Sequence, residues 1–245
     1  MLNKKRMQNG DRMKPEEARK TLGPNLNFAA AEAYKLLRTN LSFTLPNKSG
    51  CKVIGITSAL KGEGKSTTSV NIAYTMAQSG GKVLLIECDL RMPTLSSRIQ
   101  VAEAPGLSNL LVGQNSINEV LQKSGLKPNL WVMTAGNIPP NPAELLGSEK
   151  MDAVIKGLEE YFDVILLDFP PVGVVSDALV AAKHVNGMVV VVRQDYCDRH
   201  VLDETISQLQ FAGAKILGFV MTGANTLTKN YKRYGKSYGY YRNKS

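Results

Sequence analysis

The residues best equipped for chemistry are a lysine and a hydroxyl, Lys65 and Ser66, set behind two glycines, Gly62 and Gly64. Glycines let a backbone curl with its N–H groups pointing inward, so that consecutive amides can hold anionic oxygens. A helix starting near Lys65 directs the positive end of its dipole at the same anion. Lys65 can then reach the β- and γ-phosphates of a nucleoside triphosphate, and the Ser66 hydroxyl can ligate Mg²⁺. The loop therefore reads as a nucleotide site spanning Lys61, Gly62, Glu63, Gly64, Lys65, Ser66 and Thr67, with ATP and Mg²⁺ as its ligands. The first glycine of the strict G-x-x-x-x-G-K-[ST] pattern is replaced by Ala59. A chance glycine turn is the competing explanation, and the strand in front of Gly-Lys-Ser argues against it.

Two further acids belong to this chemistry. The apolar run Leu84-Leu85-Ile86 ends in Glu87-Cys88-Asp89-Leu90-Arg91, and Val164-Ile165-Leu166-Leu167 ends in Asp168-Phe169-Pro170-Pro171. Buried parallel strands that end in acids place them at the carboxyl edge of a sheet, where ligands bind. Asp168 follows four apolar residues, the pattern in which an aspartate positions Mg²⁺. Asp89 is the candidate to accept or orient the proton of an attacking hydroxyl, with Ser66, Asp89 and Asp168 around the metal. Glu87 is then a second carboxylate near the metal, and Arg91 orients Asp89. The alternative for Asp89 and Arg91 is a simple ion pair within a loop.

These groups need a scaffold. Strand-like segments at Val53–Thr57, Lys82–Cys88, Leu130–Thr134, Val164–Leu167, Gly187–Arg193 and Lys215–Met221 alternate with helical segments. The helical segments are Phe28–Phe43, Ser66–Gln78, Asn109–Val120, Glu149–Glu160 and Arg199–Phe211. Such alternation predicts an α/β, doubly wound, mainly parallel sheet with helices on both faces. Within Phe28–Phe43, Ala30, Ala33, Leu37 and Leu41 form an apolar stripe, while Glu32, Lys35 and Arg38 fall three apart on another face. Trp131, flanked by apolar residues, is expected in the core. Pro139-Pro140-Asn141-Pro142 forces a rigid turn.

At 245 residues the chain fits one large domain. Its three cysteines, Cys51, Cys88 and Cys197, are odd in number and widely spaced, which argues against a disulfide framework, a zinc site and an iron–sulfur cluster and suits a reducing cytosol. The longest apolar run, Met188–Val192, is far too short to span a membrane. The basic N-terminus has no apolar segment of a secretory signal. The net charge of +9 is carried by the ends: residues 1–20 sum to +4 and 229–245 to +6, which leaves the body at −1. That distribution points to interacting tails rather than a nucleic-acid-binding face. Residues 1–27 are read as a flexible basic arm, 28–228 as the nucleotide domain and 229–245 as a flexible tail.

The tail holds five of the nine tyrosines, Tyr231, Tyr234, Tyr238, Tyr240 and Tyr241, among glycines and bases. It lacks the aliphatic residues that would bury it. The tyrosines could stack on nucleic-acid bases, could be aggregation-prone decoration, or could accept phosphate. An ATP site in the same chain favours the last.

Together, Lys61-Gly-Glu-Gly-Lys-Ser-Thr67, Asp89-Leu-Arg91, Asp168-Phe-Pro-Pro171 and the tyrosine cluster resemble the bacterial tyrosine kinases. The likeness is to the separate cytosolic kinase subunit of capsule and exopolysaccharide systems, and it covers roughly residues 28–245. Thr134-Ala-Gly-Asn-Ile-Pro-Pro-Asn-Pro-Ala-Glu-Leu-Leu146 supports it. So does Glu32-Ala-Tyr-Lys35-Leu-Leu-Arg38, similar to the family's E-x-x-R-x-x-R oligomerisation motif with Lys35 for the first arginine. Lys61 also resembles the extra lysine of the MinD and ParA ATPases, where it reaches a phosphate across a dimer; a solvated loop lysine is the other reading.

The resemblance implies a protein-tyrosine kinase of the P-loop NTPase fold using ATP and Mg²⁺, with tyrosine autophosphorylation between subunits of a homo-oligomeric ring. It implies a separate transmembrane activator that recruits the cytoplasmic chain to the inner face of the membrane. A phosphotyrosine phosphatase and protein substrates are implied as partners, and no specific nucleic acid. Four positions depart from the family pattern: Glu87 for aspartate, Phe169 for threonine or serine, Thr222 for an adenine-reading asparagine, and Lys61 for proline. The rival is a MinD/ParA-like positioning ATPase without kinase activity, and a second is a nucleic-acid-binding module that uses the tail.

Overall fold

The computed structural model describes residues 21–45 and 50–224; the tail tyrosines lie outside the described residues. The elements in chain order are α1 (Phe28–Thr44), β1 (Lys52–Ser58), α2 (Lys65–Gln78), β2 (Val83–Glu87), α3 (Leu95–Ile99), α4 (Leu107–Leu111), α5 (Ile117–Val120) and β3 (Gln122–Lys123). They continue with β4 (Leu130–Met133), α6 (Pro142–Leu146), α7 (Glu149–Glu159), β5 (Val164–Asp168), α8 (Asp177–Val180), β6 (Gly187–Arg193), α9 (Arg199–Phe211) and β7 (Ile216–Thr222).

One seven-stranded sheet runs in the order β3-β4-β2-β5-β1-β6-β7. All neighbours are parallel except β3 and β4. The expected doubly wound α/β sheet is therefore present, with a short antiparallel edge that the apolar pattern does not reveal. The register pairs Ile56 with Asp168 and Glu87 with Asp168, which brings the ends of β1, β2 and β5 level.

The central strands are buried on both faces, hence their unbroken apolar runs. Alternate residues still divide between two cores. Leu84, Ile86, Ile165, Leu167, Met188 and Val190 face α4 to α9, whereas Ile54, Ile56, Leu85, Leu166, Val189 and Val191 face α1 and α2.

Four expectations need correction. The segment 109–120 is not one helix: Gly113, at φ 80°, ends the first turn, and α4 and α5 are separate short helices. On α1 the inward face is Tyr34, Leu37 and Leu41, while Ala33 is exposed, because Tyr34 rather than Ala33 packs against the core. Trp131 is only half-buried, since β4 lies next to the edge strand and the Lys123 ammonium sits 3.7 Å from the ring centroid. Residues 21–27, assigned by sequence to the arm, dock on α2: Leu22 is buried, the Gly23 amide donates to Asn71 Oδ1, and Asn71 Nδ2 donates to the Thr21 carbonyl.

Candidate functional site

The site gathers at the carboxyl ends of β1, β2, β5 and β6. After β1 the chain turns through residues 59–64 into α2. Gly64 occupies the N-cap at φ 93°, a conformation that side chains resist, and frees the first amides of α2 to point outward. Ala59, where the strict loop pattern has glycine, is fully buried, and its carbonyl accepts from the Gly173 amide at 3.1 Å. The close approach falls on Gly173 instead: a Cβ there would lie 2.6 Å from the Ala59 oxygen.

The Lys65 ammonium lies 3.0 Å from Asp89 Oδ2 and 3.5 Å from Ser66 Oγ. Burial pulls its pKa down, but the charges of Asp168 and Asp89 outweigh burial and hold it above the ordinary lysine value. Asp89 also accepts the Met92 amide through Oδ1. Asp168 is fully buried at the end of β5. Its Oδ1 accepts from Ser69 Oγ at 3.0 Å, while Oδ2 has no partner. An unpartnered buried carboxylate oxygen is costly unless a cation or donor meets it, so Asp168 fits a metal-binding role. Among the described residues no cluster of three or more His, Cys, Asp or Glu could hold a metal alone. Mg²⁺ takes one or two carboxylates and completes its shell with phosphate oxygens and water, which the unpartnered Asp168 Oδ2 fits.

Other sequence candidates occupy different roles. Glu87, expected near the metal, is spent on backbone: Oε1 accepts from the Thr94 and Leu95 amides and Oε2 from Ala135. Burial pushes its pKa up to about 7, with the Thr94 and Leu95 amides opposing and Asp168 adding to the rise. Arg91, expected to orient Asp89, instead forms a two-pronged pair with buried Asp177 at 2.9 and 3.0 Å. Glu63 is fully buried, and its carboxylate accepts from the Leu60 and Arg193 amides, bracing the loop from inside rather than facing a ligand.

Lys61 is exposed, with its ammonium 3.2 Å from Met92 Sδ. Phe169 is a core side chain at 0% exposure. Thr222 donates its hydroxyl to the Glu63 carbonyl at 2.6 Å and so supports the loop. On α1, Glu32 and Lys35 pair at 2.7 Å on the surface, but Arg38 is not on a free face with them: its Nη1 donates to the Thr75 carbonyl.

Several contributors carry no local motif. Arg98, on α3, donates from Nη1 to Thr67 Oγ1 at 3.1 Å and from Nε to Thr94 Oγ1 at 3.3 Å. Ser69 orients Asp168, and Thr68 Oγ1 is buried without a partner. An i+4 count from Lys65 would have flagged Ser69; nothing in the sequence flags Arg98 or Asp177.

The AAA domain family matches residues 51–213. The chain is 36% identical over 236 residues to Tyrosine-protein kinase YwqD of Bacillus subtilis, covering 96% of this chain and 95% of that protein. It is 34% identical over 209 residues to Tyrosine-protein kinase CpsD of Streptococcus agalactiae, covering 85% and 89%. Among solved structures it resembles the kinase domain of Escherichia coli tyrosine kinase ETK, with a TM-score of 0.79, 30% identity and coverage of 91% and 84%. It also resembles the septum site-determining protein MinD of Pyrococcus horikoshii, with a TM-score of 0.58, 25% identity and 70% coverage of each chain.

Proposed function

The chain belongs to the bacterial tyrosine kinases, and from that premise we propose that it transfers the γ-phosphoryl group of ATP to tyrosine hydroxyls, including those of its own tail on a neighbouring copy. The observation that carries this reading is the Lys65–Asp89 contact at 3.0 Å, set level with the free oxygen of Asp168.

The loop amides and Lys65 bind the triphosphate, and Ser66 and Asp168 would hold Mg²⁺. Bound there, Mg²⁺ would supply charge neutralisation to the phosphates. When phosphate oxygens take up Lys65, the Asp89 carboxylate is released from its partner. Asp89 then accepts the phenolic proton, which a hydroxyl with pKa near 10 does not give up to water at neutral pH. The Arg91–Asp177 pair and the three amides on Glu87 hold the loop that carries Asp89 in place.

Tyr231, Tyr234, Tyr238, Tyr240 and Tyr241 lie on 17 residues that span several tens of ångströms when extended, enough to reach an adjacent subunit. Each phosphate adds roughly −1.5 to −2 of charge, so phosphorylation would reverse the tail's +6 and release neighbours. The assembly would be a homo-oligomeric ring joined through the exposed Glu32–Lys35 face of α1. It would be activated by a separate transmembrane protein that holds it at the inner face of the membrane, and reset by a phosphotyrosine phosphatase. Its output would be control of capsular or extracellular polysaccharide synthesis. No helix among the described residues is long and apolar enough to cross a membrane, so a partner would supply the anchor.

Tail truncation after Thr228, assayed with Mg²⁺·ATP, tests the reading. Most of the chain's phosphotyrosine should be lost with the tail while ATP binding is kept. Lys61 and the likeness to MinD favour a second reading, a positioning ATPase. ATP hydrolysis without phosphotyrosine in the intact chain would establish that reading instead.

A further inference from the structure

The turn after β6 leans on the outer side of the phosphate loop. The Tyr196 hydroxyl donates to the Lys61 carbonyl at 2.9 Å. The Arg193 guanidinium lies 5.1 Å from the Tyr196 ring centroid and reaches the Gly62 carbonyl at 3.4 Å, and the Arg193 amide donates to Glu63 Oε1. The fit is close: a Cβ on Gly62 would come within 3.2 Å of the phenolic oxygen. Tyr196 is nevertheless 46% exposed. The other described tyrosines differ. Tyr74 is buried, Tyr34 packs against the core, and Tyr161 precedes β5 at the opposite edge of the sheet.

Resting on the kinase reading, we propose that Tyr196 is a second phosphorylation site, modified by another copy of this chain, and that its phosphorylation loosens the phosphate loop and weakens ATP binding. The hydroxyl bonds a carbonyl on the outside of the loop, whereas the amides that hold phosphates point the other way. Its own γ-phosphoryl group is therefore out of reach, and the donor must be a second molecule. In the transfer, Tyr196 Oη bonds to the γ-phosphorus, the bond to the β–γ bridging oxygen breaks to release ADP, and the phenolic proton passes to Asp89 of the donating copy.

The product has no hydroxyl proton for Lys61, and its roughly −1.5 to −2 charge is repelled by that carbonyl. The Arg193 guanidinium is the adjacent cation, and pairing with it draws the guanidinium off Gly62. The loop loses two side-chain struts but keeps the Glu63 and Thr222 bonds. Lys65, Asp89 and Asp168 are untouched, so affinity falls while the chemical step does not.

Phosphate mapping by mass spectrometry tests this in the full chain with Mg²⁺·ATP, using wild type, a variant with all five tail tyrosines changed to Phe, and the same variant with Tyr196→Phe added. The five-Phe variant should take phosphate at Tyr196, with an initial rate rising as the square of protein concentration. The added Tyr196→Phe should cut incorporation more than tenfold. Protein phosphorylated at Tyr196 should bind ATP about fivefold more weakly, the equivalent of one lost hydrogen bond. A labelled tail with Tyr196 bare would overturn this inference and leave the kinase reading intact. No tyrosine labelled in any form would overturn both, and phosphorylated Tyr196 with unchanged ATP affinity would overturn the regulatory role.

Discussion

Lys65 Nζ and Asp89 Oδ2 lie 3.0 Å apart, each only about a tenth exposed, across the gap between the phosphate loop and the end of β2. In the proposed mechanism, the cation that would grip phosphate and the carboxylate that would take the phenolic proton hold each other until a triphosphate separates them. Asp89→Asn keeps the shape and most hydrogen bonding but cannot take a proton. It should lower kcat by about 10²- to 10⁴-fold and leave KM for ATP within about threefold. Steady-state kinetics with a tyrosine peptide checks this; an equal rise in KM would assign Asp89 to nucleotide binding instead.

Arg98 reaches Thr67 from α3. A guanidinium only donates, so the Thr67 oxygen is the acceptor and its proton is left for a phosphate oxygen. Arg98→Ala should raise KM for ATP about five- to tenfold with kcat within twofold, the cost of one charge-assisted hydrogen bond. Thr67→Val should do the same, and the double variant should do little more. Fully additive effects would show that the two side chains act separately.

Glu87 gives a pH dependence of stability. Burial raises its folded pKa to about 7, well above the ordinary carboxylate range. Its contribution is therefore fully present below the unfolded pKa and is lost as pH rises through 7. Relative to Glu87→Gln, which does not titrate, wild type should lose up to about 3 kcal/mol between pH 4.5 and 7. Denaturant unfolding of both proteins at pH 5, 6, 7 and 8 measures it, and parallel curves would contradict it.

Gly173→Ala should cost about 1–3 kcal/mol, because the new Cβ would meet the Ala59 carbonyl at 2.6 Å and one of the two backbones must give way. The shift falls on the root of the phosphate loop, so weaker ATP binding should accompany a lower unfolding midpoint. Calorimetric titration and thermal melts of the same sample read both.

The loop, the strands and the two aspartates were legible because their signals are local: glycine spacing, apolar runs, an acid at a strand end. Roles set by distant partners were not. Glu87 has the position of a metal ligand, yet amides at 94, 95 and 135 consume it. Arg91 sits two residues from Asp89 but pairs with Asp177, 86 positions away. The α1 stripe slipped by one residue because alanines at 30 and 33 mimic an inward face that Tyr34 occupies. Charge placed the bases at the two ends of the chain, but gave no sign that residues 21–27 dock on α2 through Asn71.

The most direct test of phosphoryl transfer at this site is tyrosine labelling of the full chain by γ-labelled ATP, wild type beside Lys65→Met. Wild type should accumulate phosphotyrosine, and Lys65→Met should fall by about a thousandfold while keeping its fold by circular dichroism. Undiminished labelling in Lys65→Met would place the chemistry elsewhere.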